Sequence, residues 1–168
     1  MLEQEIKILD IDTEKLVNKL LQHGAVRTFS WFITDTVFCH SKKKLDFTIR
    51  IRKKNISYYV TFKKQVPHHR FKRAIEIECK IHDASNFMML LQNQGFFPAK
   101  VKNKMRVSYR IWKMIFDIDC YAWIPPFLEI EAINGSDIDS RVKKLWLTKN
   151  PQLNCWINGV LSYYNCKL

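Results

Sequence analysis

The chain has 168 residues, about the length of one domain, and its 47% apolar content excludes a disordered protein. The formal charge of +12 and the isoelectric point near 9.6 favour polyanionic ligands. Apolar runs are too short for a membrane helix, and the start of the chain lacks the pattern of a signal peptide. Five scattered cysteines without C-x-x-C spacing argue against disulfides or zinc and predict a cytoplasmic protein.

Alternation of apolar and charged residues predicts eight β-strands. Within residues 2–8 the apolar side chains stand at even positions and the charges at odd ones, and residues 75–81 alternate strictly. This two-residue period is typical of strands with one apolar face. The predicted strands lie near residues 2–9, 36–40, 45–53, 57–64, 74–82, 101–110, 112–119 and 127–133.

Two helices are predicted between these strands, and more follow them. They span about 13–24 and 83–95, each ending at a glycine, with Thr13 as the expected N-cap of the first. Residues 136–168 predict one or two further helices, with a break at Asn150-Pro151. Many strands with few helices indicate an antiparallel α+β domain.

Acids separated by one residue occur four times on these strands. The pairs are Glu3/Glu5, Glu76/Glu78, Asp117/Asp119 and Glu129/Glu131. Basic residues occupy the same type of face, at Lys7, Arg50, Arg52, Lys63, Lys80, Lys104 and Arg106. Because residues at i and i+2 share one face of a strand, the acids and bases are expected to project together. The pattern predicts a charged cleft or lumen, and therefore a site.

An ordinary sheet would bury the apolar face and leave these charges in water. However, the four pairs hold eight of the sixteen acids, and an exposed face would more often include Thr, Ser and Gln. Eight strands suffice to close a barrel with the charges inside and the helices outside. Burying ions is costly unless they are paired. A bound metal–polyphosphate complex would provide partners for both the acids and the bases. Carboxylates are ligands for Mg²⁺ or Mn²⁺, and Arg and Lys donate to phosphate oxygens.

Glu3-x-Glu5-x-Lys7 resembles the E-x-E-x-K signature of the CYTH superfamily, the triphosphate tunnel metalloenzymes. Further matches follow in order at Asp35-Thr36-Val37-Phe38, Arg50-Ile51-Arg52, Thr61-Phe62-Lys63, Glu76-Ile77-Glu78, Lys104-Met105-Arg106-x-x-Tyr109, Asp119 and Glu129-Ile130-Glu131. The resemblance implies an eight-stranded antiparallel β-barrel, dependence on a divalent metal and a substrate ending in a triphosphate. It also implies a single domain over residues 1–168, with tunnel strands in about 2–133 and a helical tail in about 136–168.

The resemblance further implies roles for individual residues. The expected metal ligands are Glu3, Glu5, Glu129 and Glu131, with Glu76, Glu78 and Asp119 as further candidates. The expected substrate-binding residues, a phosphate clamp, are Lys7, Arg50, Arg52, Lys63, Lys104 and Arg106. Among all of these, Glu5, Lys7 and Glu131 are the expected catalytic residues, whereas Asp117 is a weaker match.

Two departures from the family pattern bear on substrate choice. The family often has a Gly-rich turn before its last E-x-E, whereas this chain has Ala122-Trp123-Ile124-Pro125-Pro126. A basic residue often stands two positions before the acids of the fifth strand, whereas Ala74 occupies that place here. Lys72 or Arg73 is a candidate substitute.

The implied function is metal-dependent hydrolysis of an inorganic, nucleoside, thiamine or RNA 5′-triphosphate. Two alternatives stay open. A class IV adenylate cyclase would convert ATP to cyclic AMP and pyrophosphate, and the segment Leu161-Ser162-Tyr163-Tyr164 faintly resembles the C-terminal segment of some of these cyclases. A non-catalytic nucleotide- or polyphosphate-binding module would need mainly the basic residues. The expected partners are a triphosphate-bearing small molecule or an RNA 5′ end and no membrane, and a homodimer is allowed.

Several residues outside these motifs are expected to be structural. Trp112, Trp123, Trp146 and Trp156 are predicted to pack in the core or between helices and barrel, although Trp123 stands near an expected tunnel mouth. Cys79 falls on the apolar side of its strand, which predicts a packing role.

Overall fold

The structure is a computed structural model that describes residues 2–166. Within that range the strands are β1 (Leu2–Ile8), β2 (Val26–His40), β3 (Thr48–Lys54), β4 (Ser57–Val66), β5 (Lys72–Ile81), β6 (Phe96–Ile111), β7 (Met114–Cys120), β8 (Phe127–Ala132) and β9 (Gln152–Leu153). The helices are α1 (Thr13–Gln22), α2 (Ala84–Asn93), α3 (Gly135–Lys144) and α4 (Ile157–Tyr163). Each strand and helix predicted within the described range is present.

Eight of the strands close into an antiparallel barrel. Its strand order is β1–β5–β4–β3–β2–β6–β7–β8, and β8 pairs back with β1. β9 adds a short pairing at the end of β1, outside this ring. Closure leaves the eight strands without free edges and creates an interior face. The predicted α+β fold with an eight-stranded antiparallel barrel is confirmed.

The strands β2 and β6 are longer than the sequence predicts. They pair from Val26 with Arg110 to His40 with Phe96, so β2 begins ten residues before the predicted strand. The early part of β2 lacks a clear alternation because little of it is buried, and Trp31 and Phe32 are both exposed. Main-chain pairing with β6, rather than an apolar face, holds this segment in the barrel.

The apolar faces of the strands point outwards, where helices cover much of them. The largest core cluster includes Leu20 of α1 and Ile138 of α3. A second cluster contains Leu91 of α2, and a third contains Val160 of α4. This arrangement buries apolar area on the outside of the barrel and turns the charged faces of the strands towards its interior.

The helix ends follow from their capping residues. The N-cap of α1 is Asp12 rather than the predicted Thr13, because the Asp12 carboxylate accepts a hydrogen bond from the Lys15 amide at 3.0 Å. Gly24 and Gly95 follow α1 and α2 with φ of +78° and +83°, a conformation that favours glycine.

Across residues 2–166, the helices fall short of the length and apolarity needed to cross a membrane.

The predicted packing of the tryptophans is wrong. Trp112, Trp123 and Trp146 are 93%, 80% and 77% exposed, and Trp156 is 39% exposed. Trp112 and Trp146 lie in the turns that follow β6 and α3, where both have positive φ angles. Cys79 is also exposed, because the outer face of β5 is largely uncovered at this point.

Candidate active site

The barrel encloses a cavity of about 900 Å³ that is lined mainly by charged side chains. All of the predicted metal and clamp residues line it: Glu3, Glu5, Lys7, Arg50, Arg52, Lys63, Glu76, Glu78, Lys104, Arg106, Asp119, Glu129 and Glu131. Asp117 lines it as well, whereas Lys80 does not, although it shares the strand and the face of Glu76 and Glu78. The two-residue spacing therefore placed these side chains in one lumen, as expected from strand geometry.

Three carboxylates converge where β1 pairs with β8. The register sets Glu5 opposite Glu131 and Lys7 opposite Glu129. Carboxylate oxygens of Glu5, Glu129 and Glu131 lie within 4.8 Å of one another. These three residues are named the acid cluster below.

Glu5 is surrounded by lysines. Its carboxylate lies 2.5 Å from the Lys7 ammonium, 2.6 Å from that of Lys72 and 3.3 Å from that of Lys63. Burial and the neighbouring Glu129 would raise the pKa of Glu5, but the three lysines lower it to about 2. Glu5 is therefore ionised at neutral pH.

Glu131 differs from the rest of the acid cluster. Among residues 2–166 it makes neither a hydrogen bond nor an ion pair, and burial together with Glu129 and Asp117 raises its pKa well above the usual range. Glu5 and Glu129 are paired with bases, and the raised pKa of Glu131 shows that its charged form is disfavoured in the metal-free lumen. A divalent cation at this point would favour the charged form of Glu131. Oxygen donors of this kind suit a hard divalent cation. The residues present therefore fit the metal that the sequence resemblance implies.

A different arrangement occurs along β2, β3, β6 and β7, where every lumen acid contacts a guanidinium. Arg52 donates to Asp35 through two nitrogens at 2.6 and 2.8 Å. Arg106 contacts Asp119 in the same bidentate way, at 2.5 and 2.6 Å, and also pairs with Asp117. These arginine–aspartate pairs are named the paired wall below.

The ion pairs of the paired wall determine the direction in which the pKa values of its acids shift. Burial alone would raise the pKa of Asp119, yet Arg106 and Lys104 hold it below the usual value. Arg52 similarly outweighs the effect of burial and lowers the pKa of Asp35. Lys104 lies 2.7 Å from Asp119, but burial and the adjacent Arg106 lower its own pKa to about 8. The paired wall is therefore close to charge balance, with Lys104 the group that loses its charge most easily.

The remaining predicted acids lie outside the acid cluster. The Lys63 ammonium is 2.7 Å from Glu76 and 3.6 Å from Glu3. Arg50 donates to Glu76 at 3.2 Å, and Glu78 pairs with Lys54 at 3.3 Å. Among the described residues, only Glu5, Glu129 and Glu131 of the seven predicted metal ligands meet at metal-binding distances.

Lys72 is a lumen residue that the motif comparison did not assign. Its side chain is buried beside Glu5, and burial together with Lys7 lowers its pKa to about 8. The sequence does contain a signal for Lys72, because Lys72 precedes Glu76 by four residues and therefore lies on the same face of the strand. Ala74 lies between them and interrupts the row of charged residues. Of the two candidate substitutes, Lys72 lines the lumen and Arg73 does not.

The basic row on β6 is longer than predicted. Lys100, Lys102 and Arg110 line the lumen in addition to Lys104 and Arg106. The same two-residue period relates all five of these residues; Lys100 precedes the predicted strand, whereas Lys102 lies within it but was not assigned to the clamp. The structure thus provides more cationic surface for a phosphate chain than the motifs alone indicated.

Comparison with known proteins identifies related chains and folds. No protein-family model matches the chain. A proposed adenylate cyclase from Methanocaldococcus jannaschii is 29% identical over 148 residues, which cover 86% of this chain and 84% of the relative. The solved structure of a proposed adenylate cyclase from Vibrio parahaemolyticus superposes with a TM-score of 0.80 at 13% identity, covering 96% of this chain and 98% of that one.

A third similar protein of known structure is a proposed adenylyl cyclase from Hippeastrum, which was described as having a dominant triphosphatase activity. It has a TM-score of 0.65 at 12% identity and covers 99% of this chain and 97% of that one. At such identities the two solved structures establish the fold, and the sequence match to the archaeal relative is consistent with it. The chain has the triphosphate-tunnel fold, and the resemblance of its sequence to the CYTH superfamily is confirmed.

Proposed function

We propose that the chain is a divalent-metal-dependent hydrolase of triphosphate-bearing substrates that releases phosphate. One observation carries this proposal: a cluster of three acids, one of them without a base, faces rows of Lys and Arg inside the same lumen. A simple anion-binding module would need the basic residues and would gain nothing from converging carboxylates. Acids for a cation and bases for phosphate are both expected for a metal–triphosphate complex.

Glu5, Glu129 and Glu131 would hold the cation, for which Mg²⁺ or Mn²⁺ is the expected choice. A bound divalent cation neutralises negative charge on phosphate oxygens. Glu3 and Glu76 remain near Lys63, and Asp119 remains engaged with Arg106. These latter acids are assigned to orienting the basic residues rather than to metal binding.

When the phosphate chain binds, the basic residues of the clamp would exchange carboxylate partners for phosphate oxygens. Lys7, Lys63, Lys104 and Arg106 each contact lumen carboxylates, and their ammonium and guanidinium groups donate equally well to phosphate oxygens. Arg50, Arg52 and Lys72 extend this donor set around the lumen. Because the donors are already held in place by acids, little reorganisation is needed when the substrate enters.

Hydrolysis requires a water molecule in line with the terminal phosphorus–oxygen bond. Within residues 2–166 no base contacts the Glu131 carboxylate, so an oxygen of it is free to accept the proton of this water once the carboxylate is ionised, as a bound cation would favour. The oxygen of the water bonds to phosphorus as the bridging bond breaks, and the diphosphate departs with the bonding electrons. Lys7 and Arg106 would stabilise the charge that develops on the phosphate oxygens.

The relatives support the proposal in different ways. The Hippeastrum protein was proposed as a cyclase and yet shows a dominant triphosphatase activity, so this fold accommodates hydrolysis. The archaeal relative is a proposed adenylate cyclase, which favours cyclisation of ATP as a second candidate function for this chain. In that reaction the ribose 3′-hydroxyl would replace water as the nucleophile, with the same cation and clamp.

Product analysis tests both candidates. Purified protein is incubated with Mg²⁺ or Mn²⁺ and tripolyphosphate, ATP, GTP, thiamine triphosphate or 5′-triphosphate RNA, and the products are separated chromatographically. Orthophosphate together with the matching diphosphate is expected. Cyclic AMP with pyrophosphate would assign the cyclase reaction instead. If calorimetry shows that the substrates bind but no product forms, the chain is a binding module and the proposal is wrong.

A further inference from the structure

Resting on the proposed function, we propose that Trp156 is a positioning residue that holds Lys72 within the triphosphate clamp. Trp156 is the N-cap residue of α4, and its indole ring and Lys72 both line the lumen. The ammonium of Lys72 lies 3.7 Å from the centre of the Trp156 ring. At this distance the face of an indole attracts a cation, and the attraction grows as water is excluded; Lys72 is buried, whereas Trp156 is 39% exposed.

The Trp156 ring is fixed from two sides. Its indole N–H donates a hydrogen bond to the side-chain oxygen of Gln65 at 3.3 Å. The next residue, Ile157, is buried with Val160 and Leu161 in the core cluster beneath α4. The ring is thus a fixed surface against which the flexible four-carbon chain of Lys72 can rest.

The need for this surface follows from how the lysines around Glu5 are paired. Lys7 also contacts Glu129, and Lys63 also contacts Glu76. Within residues 2–166, Glu5 is the only acid that pairs with Lys72. When Glu5 ligates a cation, Lys72 therefore loses most of its charge partner, whereas the other two lysines each keep another acid.

An unpaired buried ammonium tends to leave for water, because desolvation of its charge is costly. The Trp156 face offsets part of this cost and keeps Lys72 directed into the lumen, without adding a carboxylate that would repel phosphate. Trp156 therefore raises affinity for the phosphate chain through Lys72, and it need not touch the substrate.

The test measures, by calorimetry in Mg²⁺, the binding of a tripolyphosphate analogue whose bridging oxygens are replaced by methylene groups, so that Glu5 can ligate the cation while the readout does not depend on turnover. Trp156→Leu removes the aromatic face, and Trp156→Phe retains one. Trp146→Leu is the matched control, because Lys19 also lies 3.7 Å from the Trp146 ring but does not line the lumen. We expect affinity to fall about tenfold in Trp156→Leu, to stay within about threefold of wild type in Trp156→Phe, and to be unchanged in Trp146→Leu.

A double-mutant cycle separates positioning from a general structural role. Lys72→Met should weaken binding by at least as much as Trp156→Leu, and adding Trp156→Leu to it should have no further effect. An equal loss from Trp156→Leu in both backgrounds, or none in either, would overturn the inference. If the wild type cleaves triphosphates and Trp156→Leu binds as tightly as wild type, the inference about Trp156 is wrong and the proposed function stands. Wild-type protein that neither binds nor cleaves tripolyphosphate would reject both proposals.

Discussion

Two parts of the lumen contain the same types of residue in opposite states. In the paired wall, Asp35 and Asp119 each have a bidentate arginine. In the acid cluster, carboxylate oxygens of Glu5, Glu129 and Glu131 lie within 4.8 Å of one another, and Glu131 forms no ion pair with any base in residues 2–166. The difference shows that alternating charges on a strand can either complete a structure or leave a site open. In the paired wall every acid contacts an arginine and organises the barrel, whereas in the acid cluster a third carboxylate, Glu131, lies beside two that already have bases.

The largest effect is expected at the centre of the acid cluster. Glu131→Gln removes a proposed metal ligand and proton acceptor, so the rate of phosphate release should fall by about a thousandfold or more. Because Glu131 makes no hydrogen bond or ion pair within the described residues and is repelled by neighbouring acids, the free energy of unfolding should stay equal or increase. Phosphate assays and denaturant unfolding measure the two quantities. Turnover within tenfold of wild type would remove Glu131 from the site.

In the paired wall the effect on stability should be reversed. Asp35→Asn leaves the Arg52 guanidinium buried without a carboxylate, which should lower the free energy of unfolding by about 3–5 kcal/mol. The double variant Asp35→Asn/Arg52→Met should recover most of that loss, since both partners of the buried pair are replaced. A single variant as stable as wild type would show that this wall does not depend on its pairing.

The Asp35 pair also predicts a pH dependence. Arg52 lowers the pKa of Asp35 in the folded state below its ordinary value of 3.8, so the pair stabilises the protein fully above that pH. This contribution is lost as the pH falls through the folded-state pKa. The stability difference between wild type and Asp35→Asn should therefore be constant above about pH 5 and shrink in stronger acid. Denaturant unfolding at several pH values checks this, and a constant difference down to pH 2 would contradict it.

A smaller effect is expected at Lys104, whose pKa is lowered to about 8. Because a lysine loses its charge as the pH rises through its pKa, kcat/KM for tripolyphosphate should fall above pH 8, by up to about tenfold per unit. Lys104→Arg keeps a charged donor at all of these pH values and should make the alkaline limb shallower, leaving the part that is due to Lys72, whose pKa is also lowered to about 8. Identical pH profiles for the two proteins would exclude Lys104 as the titrating group.

The smallest effect is expected at Glu78, which pairs with Lys54 and lies outside the acid cluster. Glu78→Gln should reduce kcat/KM only about two- to fivefold, since a partly exposed ion pair contributes little. Glu131→Gln is the matched comparison, because it makes the same chemical change inside the cluster. If kcat/KM fell equally in the two variants, position inside the acid cluster would not determine which acids are needed for activity.

Much of the barrel was predictable because its strands have a strict period. At residues 75–81 the alternation alone fixes both the strand and the face that enters the lumen. The early part of β2 was not predictable, since Trp31 and Phe32 are exposed there and leave no apolar pattern. The exposed tryptophans were also missed, because sequence does not show that Trp112 and Trp146 have positive φ angles.

The candidate site was predictable as a set but not as an arrangement. Spacing placed all seven predicted metal ligands in the lumen, yet it could not show which of them already had a base. That distinction depends on contacts between distant strands, such as Lys63 with Glu76 or Lys72 with Glu5. Lys72 was predicted only as one of two candidate substitutes, beside Arg73, because Ala74 breaks the two-residue pattern, although the face of β5 continues through it.

Binding of Mn²⁺ to the substrate-free protein tests the central claim most directly. Calorimetric titration would compare wild type with Glu131→Gln, in the acid cluster, and Asp119→Asn, in the paired wall. We expect wild type to bind Mn²⁺, Glu131→Gln to lose at least tenfold in affinity, and Asp119→Asn to change less than threefold where it remains folded. Equal binding by wild type and Glu131→Gln would contradict the account, because the cation would then lie outside the acid cluster.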